Sequence, residues 1–248
     1  MALDTAFLSL YADLPRQSVG ADCCTQEAIN RLPPLRKPTT VMDLGCGSGR
    51  STILLARRFR GPIAAIDPRS DLLDRLAAAA KADGLAVRIS PRSEDPARLK
   101  DRPGTYDLIW SEGGVQALGW AKSLKLWGPL LRARGVIALS DRVWLTDSPP
   151  AEVRDFWAKV YPAMADADGY RRAAEQAGLS VFDSFTLPRA TLWDGYYAPL
   201  IQRIAALEND TAIDPALAQA IDAAKREIAI QERFGDCFAY SFYLLRLN

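Results

Sequence analysis

The sequence predicts an α/β fold in which a parallel sheet is wound with helices on both faces. Three observations lead there. Short apolar runs alternate with helical patterns from Val41 onward, a glycine-rich bend joins the first run to the first helical pattern, and an alternating aromatic run closes the chain. Such alternation favours a parallel sheet because each crossover helix covers one of its faces.

Strands are expected at 40–44, 63–67, 86–90, 106–111 and 135–141, then near 180–187, with the closing one at 237–247. Alternating or continuous apolar residues support each. Helices are expected at about 50–59, 70–82, 116–132 and 151–165, the last after the start signal Ser148-Pro149-Pro150. "GYRRAAEQAGL" predicts one more helix, ended by Gly178. Residues 188–235 break the rhythm with two helical patterns, "RATLWDGYYAPLIQRIAALEN" and "PALAQAIDAAKREIAIQERF". The expected organisation is an N-terminal helical cap segment at 1–39, a core at 40–187, a helical lid insertion at 188–235 and a final core strand at 236–248. Insertions of this kind often cover an active site, and simple packing cover for the sheet is the alternative.

Bulk properties narrow the function. The 248 residues are 49% hydrophobic, ample for a core, and Lys+Arg 31 against Asp+Glu 30 leaves a formal charge of +1. No global field draws such a chain to nucleic acid or to an anionic membrane. Cys23, Cys24, Cys46 and Cys237 lack C-x-x-C spacing, and the N-terminal "MALDTAFLSLYADLPR" has no signal-peptide pattern. The expectation is a reduced, soluble, cytoplasmic protein without a metal. Histidine is absent. That removes any histidine base, any Ser-His-Asp triad and any imidazole metal ligand.

The bend "VMDLGCGSGRSTILLARRF" follows the first strand. A dinucleotide fingerprint would need a third glycine three positions beyond Gly47, where Arg50 stands. The pattern from Asp43 through Gly45, Gly47 and Gly49 is D-x-G-x-G-x-G, which resembles the first motif of the class I S-adenosylmethionine-dependent methyltransferases. The resemblance implies a doubly wound, Rossmann-like mixed sheet of seven strands, closed by an antiparallel final strand, with S-adenosylmethionine as cofactor. Glycines there allow backbone to approach an amino acid and a ribose closely. Asp43 is the expected partner of the cofactor ammonium, and Asp67, ending the second strand, of the ribose hydroxyls. Cys46 is a small residue that fits the turn. In "SPRSEDPARL" the acid expected at the adenine aligns with Ser93 or its neighbour Glu94, with Asp95 one residue further on. Ser111, at the end of the fourth strand, is also placed beside the cofactor.

"YDLIWSEGGVQALGWAKSLKLWGPLLRARGVIALSDRVWLTDSPPAEVRDFWAKVYP" is similar to a bacterial branch grouped with the ubiquinone and menaquinone biosynthesis methyltransferases. "LPRQSVGADCCTQEAI" and "FTLPRATLWDGYYAPL" extend that similarity outward. It implies methyl transfer to a small-molecule acceptor by direct displacement in a water-excluded pocket, where alignment matters most and a base only for a protonated nucleophile. Glu112 is the first candidate base and Asp141 the second, because the carboxyl ends of strands face the ligand crevice. Glu112 capping the turn, and Asp141 in a purely structural hydrogen-bonding role, are the alternatives. Tyr11, Trp110, Trp144, Trp193 and Tyr197 are candidate acceptor walls, and core packing is their other reading. Three rival functions stand beside this one: a nucleic-acid methyltransferase, though Ser111-Glu112-Gly113-Gly114 replaces [ND]-P-P-[YFW]; an arsenite methyltransferase using Cys23, Cys24 and Cys237; and a non-catalytic S-adenosylmethionine-binding module.

Overall fold

The computed structural model describes residues 6, 10–11, 13–209 and 213–248. After helix α1 (Asp22–Asn30), the chain alternates β1 (Val41–Leu44), α2 (Arg50–Arg58), β2 (Ile63–Ile66), α3 (Ser70–Ala82) and β3 (Ile89–Arg92). It continues through β4 (Tyr106–Glu112), α4 (Trp120–Trp127), β5 (Leu131–Trp144), α5 (Ala151–Val160), β6 (Ala165–Asp166), α6 (Ala167–Gln176) and β7 (Leu179–Thr186). Helix α7 (Arg189–Leu192) passes through a π-helical turn (Trp193–Tyr197) into α8 (Ala198–Glu208), and α9 (Pro215–Phe234) leads to β8 (Phe238–Leu247).

The sheet runs β3-β2-β1-β4-β5-β8-β7, with β8 antiparallel to both of its neighbours. This is the doubly wound mixed sheet expected, and its main path has the seven expected strands. The two-residue β6, which pairs with the tip of β5, was too short to leave a sequence pattern. Period-2 alternation sends Val41, Leu108 and Val136 to one face, packed against α2, while Met42, Ile109 and Ile137 face α4 and α6 on the other. With both faces covered, β1 and β4 are buried at every residue. The helices between β7 and β8 join the first face, where Leu192, Tyr196, Leu200 and Ile221 pack into the cluster that holds Tyr11 and Phe242. No described helix is long and apolar enough to cross a membrane.

Three boundaries differ from expectation for local reasons. β3 starts at Ile89 rather than at residue 86, because Val87 is fully exposed and Ile89 is the first side chain to enter the core. The helix expected over 116–132 is cut to Trp120–Trp127, with Gly119 in a positive-φ conformation before it and Gly128-Pro129 after it. α5 ends at Val160, since Tyr161 leaves the helical region at φ −144°.

Asp43 ties β1 to α2. One of its oxygens accepts hydrogen bonds from Ser51 Oγ at 3.0 Å and Thr52 Oγ1 at 2.6 Å, while Oδ1 is buried without a partner. Burial pushes its carboxyl up to about 7. The unfolded chain releases that proton near the ordinary value of about 3.9, so between these two pH values the native state binds more protons. Stability therefore falls as pH rises through this window. Asp43→Asn is expected to lack this contribution, so that in thermal melts the variant gains on the wild type as pH rises from about 4 to about 8.

Candidate active site at the β1–β4 crevice

The chain leaves β1 through Gly45, whose φ is +69° and whose missing Cβ would lie 2.8 Å from Gly114 Cα. The bend after β1 and the bend after β4 are thus in backbone contact, which only glycine permits. The Gly45 and Cys46 N–H groups both donate to the Ile66 carbonyl, at 2.8 and 3.1 Å. Asp67, just beyond β2, accepts from the Gly47 N–H at 3.0 Å and the Arg69 N–H at 2.9 Å. Burial raises its pKa despite those donors. Gly45, Cys46, Gly47, Asp67, Asp95 and Glu112 help to bound a cavity of about 310 Å³.

Several expected cofactor contacts sit elsewhere. Asp43 does not line the cavity; it lies behind Ser51, which does. Ser93 and Glu94 are also off its wall, because Glu94 turns away into a two-bond pair with Arg92 at 2.9 and 2.7 Å and Ser93 bonds the Pro68 carbonyl. The acid that reaches the cavity here is Asp95. Ser111 is fully buried and donates to the Leu44 carbonyl at 2.9 Å, fastening β4 to β1 from inside. Cys46 lines the cavity, and burial pushes its thiol well above the ordinary value, so it stays protonated.

Glu112 lines the same cavity and is held by three side-chain donors. Its Oε2 accepts from Arg16 Nη1 at 2.8 Å, and its Oε1 from Thr25 Oγ1 at 2.7 Å and Trp110 Nε1 at 3.0 Å. Those three donors, one of them charged, stabilise its anion and leave one lone pair on Oε2. Arg16 also binds Asp22 at 2.9 Å, and Asp22 in turn binds Arg50 of α2 at 2.6 Å. The segment before α1 is thereby fastened across the strand ends. Its next residue, Gln17, accepts from the Ser48 N–H of the glycine turn at 2.9 Å, and Ser18 donates to the Glu112 carbonyl at 2.8 Å.

Behind Tyr11, Gln17, Ser18 and Gly113 lies a second cavity of about 270 Å³. Those four residues line both cavities. Its far wall includes Gln116, Arg142, Tyr161, Tyr196, Glu227 and Tyr240. Arg142 binds Glu227 at 2.5 Å and lies over the rings of Trp157 and Tyr240, at 4.2 and 5.0 Å from their centroids. Asp141 is buried one layer behind this wall, accepting from Tyr161 Oη at 2.7 Å.

Of the aromatic walls expected from sequence, Tyr11 alone lines the second cavity. Trp110 is fully buried against Phe242, its indole committed to Glu112. Trp144 packs edge-on against Phe238 at 6.4 Å. Trp193 borders a separate surface hollow with Arg189 and Glu232. Tyr197 is buried behind Glu227, to which its hydroxyl donates at 3.3 Å. Sequence reasoning missed Arg16, Gln17, Arg142, Tyr161, Glu227 and Tyr240, which converge from distant parts of the chain. A signal was present for two of them, since Arg16 and Gln17 belong to the N-terminal stretch that carries the family resemblance.

These residues fit S-adenosylmethionine. The bend lacks side chains where an amino acid and ribose would lie, and both Asp67 oxygens retain accepting capacity toward the cavity.

Comparison with known proteins agrees. Residues 41–135 match the family described as "Methyltransferase domain". A 2-methyl-6-phytyl-1,4-hydroquinone methyltransferase from Synechocystis sp. is 25% identical over 191 residues, covering 69% of this chain and 58% of that one. The chain thus spans little more than half the length of the curated relatives it matches. An S-adenosylmethionine-dependent methyltransferase from Geobacter sulfurreducens, solved with S-adenosylhomocysteine, superposes with a TM-score of 0.82 at 18% identity, over 98% of both chains. Another from Thiobacillus denitrificans, with the same ligand, gives 0.81 at 16% identity, again over 98% of both. The matched domain begins at the strand that leads into the glycine bend, and the fold is that of these methyltransferase structures.

Proposed function

We propose that this protein transfers a methyl group from S-adenosylmethionine, held at the glycine bend, to a small molecule held in the second cavity. The observation that carries this reading is the partition: the two cavities meet at Tyr11, Gln17, Ser18 and Gly113. A small acceptor is further supported by the Synechocystis relative, which is named for a hydroquinone.

The cofactor supplies a methyl carbon already activated by a sulfonium, whose bonding pair stays on sulfur. The protein's task is alignment and exclusion of water. Asp67 holds the ribose hydroxyls, the glycine bend admits the amino-acid portion, and Asp95 with Pro96 lies where the adenine ends. Arg16 offers its remaining N–H donors to the cofactor carboxylate, while Glu112 supplies the countercharge that keeps Arg16 in place. The helices of 188–235 act as a lid, contributing Tyr196 and Glu227 to the acceptor cavity.

Isothermal titration with S-adenosylmethionine, S-adenosylhomocysteine and NAD tests the cofactor: heat from the first two and none from NAD is expected. Heat from NAD alone would overturn the reading. Asp67→Ala is expected to weaken S-adenosylmethionine binding by about 10-fold or more, the worth of hydrogen bonds to a charged group, with an unchanged far-ultraviolet spectrum. Glu112→Gln is expected to destabilise the fold by about 3 kcal/mol in urea titrations, because it leaves Arg16 buried without its countercharge. A Glu112→Gln protein of wild-type stability and abolished turnover would restore Glu112 as the base.

A further inference from the structure

Asp141 occupies an unusual position for a structural carboxylate. It ends in the buried layer at the carboxyl side of β5, fully shielded from solvent. It receives the Arg142 N–H at 2.8 Å, Gln116 Nε2 at 3.3 Å and Tyr161 Oη at 2.7 Å. All three donors are neutral. The nearest cation, the Arg142 guanidinium, is turned to Glu227 and Gln116 instead. A buried carboxylate without an ion-pair partner is costly to keep ionised. One of its three donors, Tyr161, stands in the wall of the second cavity.

We propose that Tyr161 and Asp141 form a proton relay serving an acceptor whose nucleophilic atom carries a proton, an O–H or N–H group, so that the enzyme methylates oxygen or nitrogen. This rests on the methyl-transfer reading above. The acceptor's proton passes to Tyr161 Oη as the Tyr161 proton passes to Asp141 Oδ2. The acceptor atom keeps the electron pair with which it bonds the incoming carbon. The relay ends with a neutral phenol and a neutral carboxylic acid, and the hydrogen bond between them has reversed direction. Solvent later recovers the proton by the same route.

Tyr161 cannot do this alone. Burial and the adjacent Asp141 push its phenol far above the ordinary value, so the ring cannot rest as a phenolate and must hand its proton on. Asp141 is suited to receive it. Burial raises its carboxyl to about 6, against the pull of the Tyr161 hydrogen bond, so it is ionised at neutral pH yet close enough to that pH to accept a proton. The other groups facing it are Arg142 on its own strand, Tyr170 of α6, and Tyr240 and Tyr243 of β8. Burial raises all three of those phenols, so they remain uncharged across the same range. Tyr170 is further committed to the Arg142 carbonyl at 2.7 Å. Among the described residues Tyr161 is the only phenol that donates a hydrogen bond to Asp141, so no second relay competes along this wall.

The test begins with the wild-type protein, methyl-labelled S-adenosylmethionine and a cell extract, with the labelled product read by mass spectrometry and NMR. A label on oxygen or nitrogen is expected, and a label on carbon overturns the relay while leaving the methyltransferase reading intact. No labelled product at all overturns that reading and the relay with it. With the identified acceptor, Tyr161→Phe and Asp141→Asn are each expected to lower kcat by about 100-fold or more while cofactor affinity by calorimetry stays within about 2-fold. Wild-type kcat is expected to fall below about pH 6 as Asp141 takes up a proton. Infrared difference spectra of the protein without acceptor give a readout independent of turnover. The wild type should show, besides the Asp43 band near pH 7, a protonated-carboxyl component near pH 6 that is missing from Asp141→Asn and moves to higher pH in Tyr161→Phe, since the lost hydrogen bond no longer stabilises the anion. Wild-type kcat in Tyr161→Phe, or an unmoved band, overturns the proposal.

Discussion

The site depends on one topological constraint, the adjacency of β1 and β4 in a sheet whose chain order reverses between them. α2 leaves β1 for one face and α4 leaves the β4 side for the other. Neither helix can fill the space above the two strand ends, so a crevice is left there by geometry alone. The crevice stays narrow because the two bends touch: Gly45 meets Gly114 with no room for a Cβ. A ligand in that space therefore meets peptide backbone on two sides, with carboxylates from β2 and β4 at its edges.

The stretch Arg16 to Ser18, upstream of α1, adds a wall to this crevice. Its anchor is the Arg16–Glu112 pair, both partners almost fully buried. A buried pair of this kind contributes little net stability compared with an apolar replacement, but removing one partner strands the other. Its value here is positional. Glu112 stands at the end of β4, so pairing with it fixes Arg16, and the neighbours Gln17 and Ser18, at the boundary between the two cavities.

The sheet was legible because its signals are local. Apolar runs such as Val41 to Leu44 and Tyr106 to Trp110, with the glycine bend between strand and helix, specify their own conformations. Asp67 was expected at the cavity for a similar reason, following directly on β2, and it lines that cavity. The second cavity was not legible. Arg142, Tyr161, Glu227 and Tyr240 come from β5, the end of α5, α9 and β8, and no short-range pattern distinguishes them from ordinary core or surface residues. The tryptophans misled because a large apolar ring suits a core as well as a binding wall; Trp110 buries completely and satisfies its indole on Glu112. The surroundings of Glu112 were hidden because its position at a strand end said nothing of the arginine that arrives from nearly a hundred residues upstream.

The partition between the compartments has a thermodynamic corollary. Tyr11, Gln17 and Ser18 lie close together in the chain, so a displacement of that stretch opens both cavities together. Anything that holds this stretch down from one cavity also holds the wall of the other, which is a route to coupling between them.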